Sequence, residues 1–316
     1  MIPAEKVQTQ LQQLLNTIDE VVIGKRDVAK LSIVALLAEG HVLLEDVPGV
    51  GKTMFVKTLA KAINADFKRI QFTPDLLPSD VTGMSVYSPK DMEFHFKPGP
   101  ILTNIVLADE INRSSPKTQA ALLEAMAEQH VTIDGLTREL PSPFFVMATQ
   151  NPIDFEGTYQ LPEAQLDRFL FKLNMGYPTK QEELAILNGV EQKRTIDDVQ
   201  PVMNVEELRT MQQMVKDVYV DDVIKNYIVD LVIQTRTHES ISLGVSPRGS
   251  VALMKAIQAY ALLEGRDYCI PDDVQHLMKH AFAHRVILQP ETRYEGVTEG
   301  SIIEGIIKRT PVPVKG

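Results

Sequence analysis

Gly49, Gly51, Lys52 and Thr53 close the stretch Leu43-Leu-Glu-Asp-Val-Pro-Gly-Val-Gly-Lys-Thr53, and the chemistry they suit is phosphate binding. Glycines lack a Cβ, so the loop can turn several N–H groups toward one point. A helix starting near Lys52 adds its positive end. Lys52 is then placed for β- and γ-phosphates, and the Thr53 hydroxyl for Mg²⁺. The pattern G-x-x-x-x-G-K-[ST] asks for Gly at position 46, where this chain has Asp46. Asp tolerates unusual dihedrals, but its carboxylate must point away from a phosphate. The bland alternative is a glycine-rich turn with a chance Lys-Thr after it, and the residues further along count against it.

Asp109-Glu110 follows the apolar run Asn104-Ile-Val-Leu-Ala108, so the pair ends a buried strand. In a parallel sheet that end lies beside the phosphate loop. Asp109 can hold Mg²⁺, and Glu110 can polarise an attacking water as general base. A helix-capping role fits the pair poorly, because apolar residues precede it. Asn151 ends the next apolar run, where its amide could hold the water or the γ-phosphate; before Pro152 it also suits a plain turn. Arg168, in Gln165-Leu-Asp-Arg-Phe169, is a candidate arginine finger reaching a neighbouring subunit. Arg248 falls in the first turn of a helix, where a cation opposes the dipole unless an anion neutralises it. That makes it a candidate γ-phosphate sensor joining the second domain to the first. A surface salt bridge is the alternative for each arginine, and Arg113 is a weaker candidate of the same kind.

The elements around these residues alternate. Helical periods cover residues 4–20 and the segment holding Val28, Leu31, Val34 and Leu37. Short strands are expected at 42–44, 67–72, 104–108, 144–148 and 169–173, with helices between, which gives a parallel α/β sheet with ligands at its strand C-termini. Residues 73–100 form an insertion with a short hairpin, Met84–Tyr87 facing Met92–Phe96. Asp134-Gly135 marks a second hairpin within 130–141. From Tyr177-Pro-Thr179 onward only helical periods occur, opened by Thr179 with Glu182, Asn204 with Glu207, and Ser246-Pro247. Two domains are expected, an α/β nucleotide-binding core over 1–174 and a smaller all-helical lid over 175–316.

Composition narrows the class. The formal net charge of −10 and the absence of Trp argue against broad nucleic-acid binding or base stacking. One cysteine, Cys269, excludes an intrachain disulfide and reads as a small buried hydrophobe. His276 and His280 are four apart without the Glu of a zinc-protease helix, so no metal is expected there. No apolar run nears the ~18 residues of a transmembrane helix, and no secretion signal opens the chain; a cytoplasmic protein without membrane insertion is expected.

Taken together, the motifs resemble those of the AAA+ ATPases, most closely the MoxR family. The carriers are Leu44 to Thr53, Arg69-Ile-Gln-Phe-Thr-Pro-Asp-Leu-Leu-Pro-Ser-Asp80, Leu107-Ala-Asp-Glu-Ile-Asn-Arg113, Pro116 to Met126, Ala148-Thr-Gln-Asn-Pro152 and Glu163-Ala-Gln-Leu-Asp-Arg-Phe169. The resemblance implies an AAA+ P-loop αβα core with a five-stranded parallel sheet, followed by the helical lid. It implies ATP and Mg²⁺ as ligands, with Pro48, Gly49, Val50, Gly51, Lys52, Thr53 and Met54 cradling the nucleotide. Ile23 and Gly24 match the segment that packs on adenine. Thr53 and Asp109 become the metal ligands, Glu110 the base, Asn151 sensor 1, Arg168 the arginine finger and Arg248 sensor 2. Residues 73–100 match the helix-2 insert, and 130–141 the pre-sensor-1 insert. Such proteins form homo-oligomeric rings, typically hexamers, and act as chaperone-like motors on client proteins, often with a von Willebrand A domain partner. A metal-chelatase-like motor subunit and a nucleic-acid-acting motor are the rival functions.

Overall fold

The structure is a computed structural model that describes residues 4–45, 49–151, 158–191 and 196–313. Two helices lead, α1 (Ala4–Val21) and α2 (Arg26–Leu37). The α/β part then alternates β1 (Val42–Glu45), α3 (Lys52–Ala62) and β2 (Phe67–Gln71). The insertion follows as α4 (Pro78–Thr82), β3 (Gly83–Ser88) and β4 (Glu93–Pro98). Next come β5 (Ile105–Asp109), α5 (Pro116–Glu128), and the hairpin β6 (His130–Ile133) and β7 (Leu136–Glu139). The part ends with β8 (Phe145–Gln150), α6 (Glu163–Leu166) and β9 (Phe171–Leu173).

Five strands make one parallel sheet in the order β2-β5-β8-β1-β9. Alternation along each strand divides the core. Val42, Leu44, Ile105, Leu107, Phe145 and Met147 point into one cluster, shared with α1, α2 and α3. Leu43, Val106, Ala108, Val146 and Ala148 point into the other, against α5. Both faces are covered, which is why these strands read as continuous apolar runs. The order sets the ends of β5, β8 and β1 side by side, and each end carries one of the candidate motifs.

Both hairpins form where the turn residues place them. Val86 pairs with His95, and Asp134 and Gly135 take left-handed φ of 52° and 77° between β6 and β7. The hairpins meet through Arg138, whose guanidinium sits 3.8 Å over the Phe96 ring.

The remaining elements are α7 (Lys180–Glu191), α8 (Val205–Asp217), α9 (Asp222–Thr237), β10 (Ile241–Leu243), α10 (Pro247–Leu263), α11 (Pro271–Phe282), β11 (Ile287–Leu288), α12 (Pro290–Tyr294) and α13 (Glu299–Arg309). The helical lid thus carries one addition, a short antiparallel β10–β11 ladder too brief to read from alternation. The capping signals act locally: Glu207 N–H donates to Asn204 Oδ1 at 2.9 Å, and Asn204 N–H to Glu207 Oε2 at 3.0 Å. The central helix α10 packs on α8, α9 and α11 and also on α1 and α2, so the leading helices touch both parts. No helix among the described residues is long and apolar enough to cross a membrane.

Candidate nucleotide site

The phosphate loop leaves β1 and enters α3 through Gly51, whose φ of 89° and ψ of 13° are left-handed. Gly49 has the same φ, and a Cβ at either position would meet no protein atom within 4 Å. The backbone therefore faces open space on the side where a phosphate would lie. Asp46 and Pro48 lie outside the described residues. Gly49, Gly51, Lys52, Thr53, Asp109 and Glu110 line one cavity, so the two motifs that the sequence separates converge.

A second, more apolar cavity adjoins it. Gly49, Gly51 and Met54 line both, and Ile23, Val50 and Ile186 line the second. An apolar slot continuous with a polar phosphate cradle suits a purine nucleotide. Gly24 does not line it; its φ of 75° brings it against the Glu182 side chain, which would sit 2.2 Å from a Cβ there. Next to it, buried Lys25 donates from Nζ to the Met175 and Gly176 carbonyls at 2.6 and 3.1 Å, tying the slot to the start of the lid.

Asp109 is 8% exposed, and both its oxygens are engaged. Oδ1 accepts from the Thr149 hydroxyl at 2.6 Å, and Oδ2 accepts from Arg69 Nε and Nη2 at 3.1 and 2.6 Å. Thr149, on the neighbouring strand β8, also accepts from the Glu110 N–H at 2.8 Å. Glu110 sits at a left-handed φ of 57°, which turns its side chain out of the strand direction. Its Oε2 accepts from Gln71 Nε2 at 3.0 Å and from Arg113 Nη1 at 2.9 Å. Thr53 and Asp109 offer the oxygen donors that a hard divalent cation takes, in one cavity, so the residues fit Mg²⁺. Arg113 lies against its own chain's Glu110.

Arg69 and Gln71 have roles here that motif spacing alone did not assign. Their signal was positional: two residues apart on β2, they share one side of a strand that pairs with β5, Gln71 opposite Asp109. Asn151 directly follows Gln150, which pairs with Glu45 at the start of the phosphate loop, but it does not line the phosphate cavity. Its carbonyl accepts from Asn112 Nδ2 at 3.2 Å.

The arginines correct one expectation. Arg248 was expected over its own phosphate loop, joining lid to core. It lines instead a separate cavity together with Arg168, Lys255 and Arg285. The reason is the packing of α10: its N-cap Ser246 donates to Asp167 Oδ2 at 3.3 Å, which draws the start of α10 to the Arg168 segment. Arg168 Nη1 donates to the Leu123 carbonyl on α5.

Cys269 is buried, and desolvation pushes its thiol up to about 12, consistent with an inert hydrophobe. The His276 ring lies tilted against Tyr260 with centroids 5.1 Å apart, and no cluster of three or more His, Cys, Asp or Glu placed to hold a metal ion occurs among the described residues.

Comparison with known proteins agrees with this architecture. A family model described as "ATPase family associated with various cellular activities (AAA)" matches residues 41–171, and one for the AAA lid domain matches 233–306. An uncharacterized protein of Bacillus subtilis, YeaC, is 60% identical over 98% of this chain and 97% of its own. The chaperone MoxR1 of Mycobacterium tuberculosis is 40% identical over 98% of this chain and 84% of its own. MoxR of Paracoccus denitrificans is 31% identical over 93% of each. The crystal structure of a candidate ATPase from Cytophaga hutchinsonii superposes with a TM-score of 0.92 at 36% identity, covering 98% of this chain and 97% of that one. The fold, the motifs and these relatives together place this chain in the MoxR family of AAA+ ATPases.

Proposed function

We propose that this chain is a MoxR-like chaperone motor that hydrolyses ATP and uses the cycle to remodel, assemble or activate client protein complexes. The observation that carries the reading is the convergence of Lys52, Thr53, Asp109 and Glu110 on one cavity, while Arg168 and Arg248 share another. A lone chain with this geometry holds an incomplete site, because Arg168 and Arg248 line a cavity that no residue of its own phosphate loop lines. A homo-oligomeric ring, hexameric by family resemblance, completes it: the second cavity of one subunit meets the nucleotide of the next.

Each residue then has a task. The loop N–H groups and Lys52 bind and orient the phosphates of ATP, with Ile23, Val50 and Met54 on the base. Thr53 and Asp109 hold Mg²⁺, which when bound neutralises charge on the phosphate oxygens. Glu110 takes the proton of the attacking water. Before that its Oε2 must leave Gln71 Nε2 and Arg113 Nη1. Asn151, one residue beyond β8, follows the state of the γ-phosphate. A neighbour's Arg168 and Arg248 stabilise the charge on the transferring phosphoryl group.

The two hairpins present the groups that would engage a client. Met92 and Phe94 are 76% and 72% exposed at one tip, and Leu136 is 60% exposed at the other. A partner with a von Willebrand A domain is expected from the family. The test is an ATP trap: tagged Glu110→Gln, with Lys52→Ala as the control, recovered from its own cells. Proteins enriched only on the trap support the reading. Nuclease-sensitive material alone would overturn it in favour of a nucleic-acid motor.

A further inference from the structure

Among the described residues of the lid, Arg285 is the charged side chain with the most hydrogen bonds, and the site as described gives it no task. It follows α11 in the sequence, and its side chain is 3% exposed. Nε donates to Asp167 Oδ1 at 2.6 Å, and Nη2 donates to the carbonyls of Asp167 at 3.1 Å and Phe169 at 2.8 Å. Nη1 donates to the Leu170 carbonyl at 3.1 Å and to the Ala281 carbonyl. One guanidinium thus grips the backbone on both sides of Arg168, at residues 167, 169 and 170.

The same side chain meets the helix that carries Arg248. A Cβ on Gly249 would lie 3.2 Å from Arg285 Cδ, so the first turn of α10 rests directly on the arginine stem. Asp167 closes the arrangement, with Oδ1 on Arg285 and Oδ2 accepting from Ser246, the N-cap of α10. Three guanidiniums, of Arg168, Arg248 and Arg285, share one cavity with Lys255, and Asp167 and Glu39 are the carboxylates that line it. Burial pulls the Arg285 guanidinium below its ordinary range while Asp167 holds it up. A buried charge with these five acceptors is costly to misplace and tolerates little movement of the segments it holds.

We propose that Arg285 is a positioning residue that fixes Arg168 and Arg248 as one unit through Asp167. Its donors are spent within its own chain, on the Asp167 carboxylate and on the carbonyls of Asp167, Phe169, Leu170 and Ala281. A surface loop could not hold a charge-stabilising arginine within the small error that catalysis tolerates, since about 1 Å of misplacement can cost about a hundredfold. A planar fork buried against four core and lid carbonyls can.

This inference rests on the reading of Arg168 as an arginine finger, and the test separates the two. Turnover of ATP, the affinity for a fluorescent ADP analogue and the unfolding temperature are measured on the full chain for Arg168→Ala, Arg285→Lys, Asp167→Asn and the double variant Arg168→Ala/Arg285→Lys. Lysine keeps the charge and loses the fork. The expected result is a kcat at least about tenfold lower for Arg285→Lys, with ADP-analogue affinity within about twofold of wild type. In the double variant the loss of kcat is expected to fall short of the product of the two single effects, because only Arg248 is left for Arg285 to position. A wild-type kcat for Arg285→Lys, or a double variant slowed by the product of the two single effects, overturns the proposal. If Arg285→Lys does not fold, Asp167→Asn decides by the same turnover and affinity criteria. A wild-type kcat for Arg168→Ala overturns the arginine-finger reading itself, and the proposal with it.

Discussion

Arg69 and Asp109 form a two-pronged ion pair, with Nε and Nη2 donating to the same oxygen, Oδ2, at 3.1 and 2.6 Å. The carboxylate that suits a metal already has a cationic partner, held on the adjacent strand β2. A divalent cation drawn to Asp109 therefore competes with the guanidinium. Because the Arg69 side chain is 46% exposed, the pair is worth only about 1 kcal/mol. Replacing Arg69 with Gln should lower the Mg²⁺ concentration for half-maximal turnover by about fivefold. A titration of hydrolysis against Mg²⁺ at saturating ATP reads this directly, and an unchanged or higher midpoint would show that Arg69 helps the metal instead.

Gly51 isolates backbone conformation from sterics. Its φ of 89° is strained for any L side chain, although space around a Cβ is open. Gly51→Ala should cost about 1–2 kcal/mol in that conformation. The loop relaxes away from the phosphate-facing arrangement, so nucleotide affinity should fall about tenfold while the unfolding temperature moves by only a few degrees. Wild-type affinity in this variant would mean that the left-handed turn is not needed for binding.

His41 links the sheet to α5 and sets a pH dependence. Its Nδ1 accepts from the Val146 N–H at 3.1 Å, and its Nε2 faces the Met126 carbonyl at 3.3 Å. Burial lowers it to about 4, so the folded chain favours the neutral ring. The unfolded chain binds the proton first as pH falls; stability from this group is complete above about 6.5 and is lost toward about 4. Between pH 7 and pH 5 the loss should be about 2 kcal/mol. His280, lowered to about 4 by burial, adds in the same direction. Urea unfolding of His41→Gln should show a lower stability at pH 7 but a visibly shallower fall to pH 5. A slope equal to that of the wild type would remove His41 from the account.

The catalytic strands were legible because both faces of the sheet are covered. Leu43, Val106 and Val146 had to be apolar regardless of alternation, and polar residues stand out only at the strand ends. The capping pairs Thr179–Glu182 and Asn204–Glu207 were legible because the signal and the hydrogen bonds are local. Arg69, Gln71 and Arg285 were not, since each gains its partner across strands or helices far apart in sequence. Arg248 was placed on the right helix, but the cavity it lines is not the one that Lys52 lines. Its position depends on Ser246 reaching Asp167, 79 residues earlier, and no local pattern encodes that contact. The β10–β11 ladder spans too few residues to show a period.

The central claim is that one subunit's Lys52 cavity is completed by another's Arg168 and Arg248. Mixing two impaired variants tests it most directly. Lys52→Ala supplies intact arginines without a working phosphate loop, and Arg168→Ala supplies the converse. The account predicts that each alone hydrolyses ATP far more slowly than the wild type and that mixtures, after subunit exchange, recover hydrolysis with a maximum at an intermediate ratio. Hydrolysis that never rises above the ratio-weighted sum of the two parents, in mixtures shown to contain hetero-oligomers, would contradict it.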